Sequence, residues 1–179
     1  QRVKTYTKIL AESVMKEYPE YGLTPETINI MFAVSALHDV GKISIPDSIL
    51  LKPGRLTDEE FACMKTHTIR GCEVLDNVEG IWEENYEQIC YDICRYHHER
   101  YDGRGYPDGL AGDDIPISAQ IVSVADVYDA LVSERCYKKP FHMDEAYTMI
   151  MEGKCGVFNP KILHCFDLVR PTFEETVQS

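Results

Sequence analysis

The 179-residue chain is short of basic residues: 18 Lys and Arg stand against 30 Asp and Glu, and the formal net charge is −12. A protein that holds a nucleic-acid polymer or an anionic membrane needs a basic face, so neither partner is expected. Long hydrophobic runs are missing too. The longest apolar stretch, Ile30 to Leu37, is far too short to span a bilayer, so no membrane insertion is expected. No CxxC pair occurs among the seven cysteines, which are odd in number. The expectation is therefore reduced, buried thiols in a cytoplasmic protein, with no disulfide framework or thiolate metal cluster. No run alternates with period two between turn residues, and neither an internal repeat nor a linker is visible. An initiator Met is also lacking. The chain opens at Gln1-Arg2-Val3 in what already reads as a helix, and residues 1–179 are taken as one domain cut from a longer protein.

What is present is helical periodicity nearly throughout. Val3, Tyr6, Leu10 and Val14 mark a first amphipathic helix. Thr24-Pro25 offers an N-cap and a proline in the first turn of a second, which should run to Asp39 with Gly41 placed to stop it. Ser44–Gly54, with two prolines, holds only a short helical turn. Thr57 with Glu60 forms a capping box before a helix toward Thr66, and Asn85 with Gln88 repeats that signature before Ile89, Ile93 and Tyr96. A glycine-rich loop fills Tyr101–Pro116. The most apolar helix, Ile117–Glu134, is expected at the centre, and Met143–Glu152 and Pro160–Leu168 follow, the last capped by Asn159. The fold class is all-α, a bundle of about seven helices.

The chemistry-bearing residues gather at helix ends. His38-Asp39 closes the second helix beside Lys42, His67 follows the capped helix, and His97-His98 closes another. Asp126 and Asp129, three residues apart on the central helix, share a face. Imidazoles and carboxylates without thiolates suit manganese, iron or zinc, and a buried cluster of such groups must be paired or hold metal. His142 and His164 fit no such pattern and are expected to be ordinary surface or core residues.

These residues carry a resemblance. The segments His38-Asp39-Val40-Gly41-Lys42, Leu51-Lys52-Pro53-Gly54, His67 with Gly71, His97-His98-Glu99-Arg100-Tyr101-Asp102-Gly103-Arg104-Gly105-Tyr106-Pro107 and Ala125-Asp126-Val127-Tyr128-Asp129 resemble the HD-GYP domain. This is the branch of the HD phosphohydrolase superfamily that degrades cyclic di-GMP. The resemblance implies an HD-type helical bundle with a GYP loop and two divalent ions, iron or manganese first, with zinc, nickel or magnesium as alternatives. It implies metal ligation by His38, Asp39, His67, His97, His98 and Asp126, with Asp39 bridging. Asp39 and Lys42 take the catalytic positions, Lys42 facing the scissile phosphate, and Gly105, Tyr106, Asp129, Arg135 and Lys138 the substrate-contacting ones. The implied activity is hydrolysis of cyclic di-GMP to linear pGpG and, on continued hydrolysis, GMP, by a hydroxide bridging the metals. The alternatives are a phosphodiesterase for cyclic GMP-AMP and a weakly active module that senses the dinucleotide or docks a protein. The family further implies an upstream sensory or receiver domain and a homodimer. Its extra histidine, in an H-x-x-R-V pattern, would fall two residues before Gln1, which is why the first helix reads as truncated.

Overall fold

The computed structural model of the chain describes residues 2–77, 83–135 and 138–179, so Gln1, where the truncated helix was expected to open, lies outside them. Among the described residues there are nine α-helices and no strand. They are α1 (Arg2–Glu17), α2 (Pro25–Val34), α3 (Asp47–Leu50), α4 (Asp58–Lys65), α5 (His67–Asp76), α6 (Glu84–Tyr96), α7 (Ile117–Val132), α8 (Met143–Met151) and α9 (Pro160–Gln178).

The core is built on α7. Residues on every side of this helix are buried, Ala119, Ile121, Val122, Val124 and Ala125 completely, so it can only be a central element. Helix α1 lays Tyr6, Leu10 and Val14 against it at the spacing of one helical face. Helix α9 packs along α1 and reaches α7 through its aromatic rings. Tyr6 stacks on Phe173 with centroids 4.7 Å apart, and Tyr128 meets Phe166 and Phe173 edge-on at 5.7 and 5.1 Å. These rings join α1, α7 and α9 in one aromatic cluster.

Several boundaries differ from the periodicity. The second helix does not continue to Asp39. It ends at Val34, and a 3-10 turn, Ser35–Leu37, replaces its last stretch. The apolar spacing continues through Leu37 and conceals the change. The Ser35 carbonyl, instead of receiving an α-helical bond, accepts from the backbone and ring of His38. Helix α5, beginning one residue after α4, was not expected separately, because only Thr66 divides them. Asn85 lies inside α6, whose N-cap is Glu83 without a side-chain bond. Helix α9 passes through Pro171 to Gln178, held by burial of Phe173. The Thr24 and Asn159 caps and the Thr57 capping box with Glu60 form as expected, and Thr27 closes a further box at Thr24 that was not foreseen.

Gly41 does not act as a helix stop. It lies in a second 3-10 turn, Val40–Ser44, pressed against α5. A Cβ there would stand 1.8 Å from the His67 carbonyl oxygen and 2.5 Å from the Gly71 amide nitrogen. Both obstacles are backbone, so the absence of a side chain is what lets the turn carrying Asp39 reach the first turn of α5. Gly41→Ala should therefore lower stability by about 2 kcal/mol or more, near 5 °C in Tm, in thermal unfolding. Gly54, with nothing within 4 Å of its would-be Cβ, should tolerate alanine without loss.

Candidate metal centre

His38 follows the 3-10 turn, His67 opens α5, His97 caps the C-terminus of α6 with His98 next to it, and Asp126 projects from mid-α7. The elements bring them together around Asp39. Cys94 on α6 donates its thiol to the Leu37 carbonyl at 3.4 Å, tying α6 to the turn that precedes His38. The rings of His38 and His97 then stand 5.1 Å apart, His67 and His97 5.5 Å, and the adjacent His97 and His98 4.3 Å. Neighbouring histidines point apart within a helix, but at its end they converge.

Donor atoms fall in two groups that share Asp39: Asp39, His67, His97 and His98 form one, and His38, Asp39 and Asp126 the other. The two carboxylate oxygens divide between them. Oδ1 lies 3.3 Å from His67 Nε2 and 3.5 Å from His97 Nε2. Oδ2 lies 3.1 Å from His38 Nε2 and 3.0 Å from Lys42 Nζ. His38 Nε2 is also 3.1 Å from Asp126 Oδ1.

The backbone sets the imidazoles. His38 Nδ1 pairs with the Ser35 carbonyl at 2.5 Å, His67 Nδ1 with Met64 at 2.7 Å, and His97 Nδ1 with Ile93 at 2.8 Å. A carbonyl only accepts, so each Nδ1 carries a hydrogen, and in the neutral ring each Nε2 presents a lone pair inward. For His67 and His97 that lone pair faces Asp39 Oδ1, acceptor against acceptor. All three atoms are buried and without a hydrogen-bond partner. Such a confrontation is costly without a cation between the groups, and oxygen with imidazole nitrogen is a donor set for divalent iron, manganese or zinc. The residues thus fit metal ions on the evidence of their own unsatisfied atoms.

The protonation states agree. Burial would lower the pKa of His38, but hydrogen bonds to Asp126 and Asp39 outweigh it and push it up to about 10. Burial also opposes ionisation of Asp39 and Asp126, yet the hydrogen bonds from His38 hold both well below the usual carboxylate range. His97 and His98 are pushed down, first by burial, which keeps them neutral and able to ligate.

The GYP loop packs against this centre. Tyr106 lies nearly parallel to His98, the ring centroids 4.9 Å apart at 14°, and its amide donates to the His98 carbonyl at 3.2 Å. Gly105 has room for no side chain, because a Cβ would meet the backbone of His98 and Arg100 at 2.4 Å. Glu99, buried, accepts from the amides of Asp108, Gly109 and Leu110 at 2.7, 3.1 and 2.9 Å and so holds the loop in shape. Its role was not legible in the sequence, where its neighbours in the His97–Pro107 run drew the reading. The half-buried Arg100, donating to Ser123 Oγ at 2.9 Å, was missed as well.

Other expected residues lie farther out. Asp129 accepts from the Ser133 hydroxyl at 3.1 Å and does not join either donor group. Arg135 and Lys138 are exposed, bonded to each other through the backbone, and among the described residues neither forms an ion pair. His142 caps α8 and His164 lies at the surface against Tyr18, as expected for residues outside the site. The described cysteines are free thiols.

Comparison with known proteins agrees with this geometry. A curated cyclic di-GMP phosphodiesterase of Vibrio cholerae is 43% identical over 96% of this chain, and the match spans 35% of that protein. A 3'3'-cGAMP-specific phosphodiesterase 2 of the same organism is 41% identical over 91% of the chain and 29% of its own length. The chain thus spans about a third of the length of these curated relatives. Among solved structures, an HDG"Y"P protein from Bdellovibrio bacteriovorus covers 99% of the chain and 52% of its own with a TM-score of 0.67 at 18% identity, which is a likeness of fold. The pattern of the HD domain family matches residues 2–162. A helical bundle whose chain matches over that range, with its histidines and aspartates gathered on Asp39, belongs to the HD domain family.

Proposed function

We propose that the chain is a metal-dependent phosphodiesterase that hydrolyses cyclic di-GMP to linear pGpG and then GMP. The observation that supports it best is Asp39, whose two oxygens face two separate donor groups. Two divalent ions there would supply an activated water and neutralise charge on the phosphate. His67, His97 and His98 would hold one, His38 and Asp126 the other, and Asp39 both. The carbonyl bonds to Nδ1 fix the His38, His67 and His97 rings before any ion arrives, so little reorganisation is needed.

Lys42 holds its ammonium 3.0 Å from Asp39 Oδ2 and is about one-third exposed, so it can reach a phosphate oxygen while remaining beside the centre. Hydrolysis adds water across phosphorus and O3′: a P–O bond forms, the P–O3′ bond breaks, and O3′ gains a proton. Lys42 stabilises the charge that builds on the non-bridging oxygens in that step. Gly105 and Tyr106 border the dinucleotide, and Asp129, Arg135 and Lys138 contact it from the end of α7, the two cations taking the second phosphate or a guanine edge. The relatives' greater length leaves room for a sensory or receiver domain and for pairing of two copies. Among the described residues no helix is long and apolar enough to cross a membrane, in keeping with a cytoplasmic enzyme.

The test is elemental analysis with anaerobic turnover in added iron or manganese, the products from cyclic di-GMP and cyclic GMP-AMP being separated by chromatography. Preferred opening of cyclic GMP-AMP would move the chain to the second reading, favoured by the 41% identical relative. No turnover of either with both metals bound would leave a sensing module.

Asp39→Asn should lose both metals and all measurable hydrolysis, because the remaining groups share no carboxylate; wild-type metal content would remove Asp39 from the bridging position. Lys42→Met should instead retain metal content by elemental analysis, with kcat falling about 10²-fold.

A further inference from the structure

The rim of the centre carries an assembly that none of the assigned residues explains. Phe61 on α4 is 45% exposed although it is a large apolar side chain. The Lys65 ammonium stands 5.1 Å from the Phe61 centroid and 5.8 Å from that of Tyr106, and the Phe61 and Tyr106 rings meet edge-on at 6.2 Å. Tyr106 in turn lies flat on His98. Metal ligand, loop tyrosine, lysine and phenylalanine therefore form one continuous wall leading outward from the donor cluster.

Phe61 and Lys65 are four residues apart on one helix, and that contact follows from helix geometry. A lysine in a last helical turn also suits the dipole. Neither accounts for Tyr106, which arrives from the distant loop. Nor does either explain why, in a chain of net charge −12, Lys65 has no carboxylate partner among the described residues. A cation without a counter-charge beside an exposed aromatic face, at the mouth of a phosphoester site, matches a ligand that is at once anionic and flat.

We infer that Phe61 and Lys65 form a substrate subsite for the half of the cyclic dinucleotide that is not cut, Phe61 stacking one purine and Lys65 meeting the intact phosphate. This rests on the reading of the site as a dinucleotide phosphodiesterase and adds to it a contact surface separate from Arg135 and Lys138. A ring of two nucleotides is too broad to be held at the metals alone, so contacts on both flanks are required to orient the phosphate for in-line attack.

The experiment compares Phe61→Leu and Lys65→Met in the manganese-loaded chain on two substrates: cyclic di-GMP, and bis(p-nitrophenyl) phosphate, a small diester with neither purine nor second phosphate. Each variant should raise KM for cyclic di-GMP about tenfold with a smaller change in kcat, so that selectivity for the dinucleotide over the small diester falls about tenfold. Phe61→Trp and Lys65→Arg should recover most of it, and metal content should stay at two ions. Lys161, which stands over the Tyr18 and Tyr21 rings at 5.4 and 5.7 Å, is the matched control, and Lys161→Met should leave selectivity as it was. Unaltered selectivity in both Phe61→Leu and Lys65→Met would overturn the subsite while leaving the phosphodiesterase reading standing. Equal losses on both substrates together with lost metal would assign the wall a purely structural role. Failure of the wild type to open the cyclic dinucleotide would overturn the functional reading, and the subsite with it.

Discussion

One carboxylate organises the centre. Asp39 faces His38 and Lys42 through one oxygen and His67 and His97 through the other, and the second oxygen is buried with no hydrogen bond. A lone carboxylate so placed would be expelled or protonated in a core of ordinary polarity. The first oxygen of Asp39 is held by His38 and Lys42, which favour its charge from the turns after α2, while α5 and α6 bring the imidazoles that face the second. Each of those elements must approach within contact distance of the same point. That requirement explains Gly41, the abrupt change from α-helix to 3-10 turn at Ser35, and the single-residue break between α4 and α5. The core behind them is conventional by comparison: a buried central helix joined to α1 and α9 by one aromatic cluster.

The histidines illustrate a second economy. Three ring nitrogens are fixed by carbonyls lying three or four residues earlier in the chain. Each of these carbonyls also accepts a backbone amide, and its second lone pair serves the ring. The same local geometry therefore satisfies the backbone, selects the tautomer and aims the lone pair. No separate carboxylates are needed to orient the rings, and the acidic side chains at the centre are left to meet cations.

Much of this was legible in the sequence. The all-α class, the central helix, expected over 117–134 and found over 117–132, and the caps at Thr24, Thr57 and Asn159 follow from periodicity and cap chemistry, and the grouping of His38, Asp39, His67, His97, His98 and Asp126 from the family resemblance. Three things were not. The end of α2 was hidden because a 3-10 turn keeps apolar residues near the spacing of the helix it replaces. Gly41 read as a stop signal, since a glycine needed for space and one needed for backbone freedom look the same in one dimension. Phe61, Lys65, Glu99 and Arg100 act through partners far along the chain or through backbone amides, and neither leaves a local pattern. Arg135 and Lys138 took their expected roles from motif position, and the structure places them in an exposed segment apart from both donor groups.

The hold of Glu99 on the loop has a consequence for variation. Its oxygens read only main-chain amides at 108, 109 and 110, so the clasp itself asks nothing of the side chains there, although Gly109 is required by its φ of +69° and Asp108 also anchors Arg95. The clasp is also adjacent in sequence to His97 and His98, so loop and ligands are inherited as one cassette. Shape and chemistry are thereby uncoupled: the outward face of the loop is free to drift, to change nucleotide preference or to acquire a new neighbour, while the register of the metal ligands beneath it is preserved.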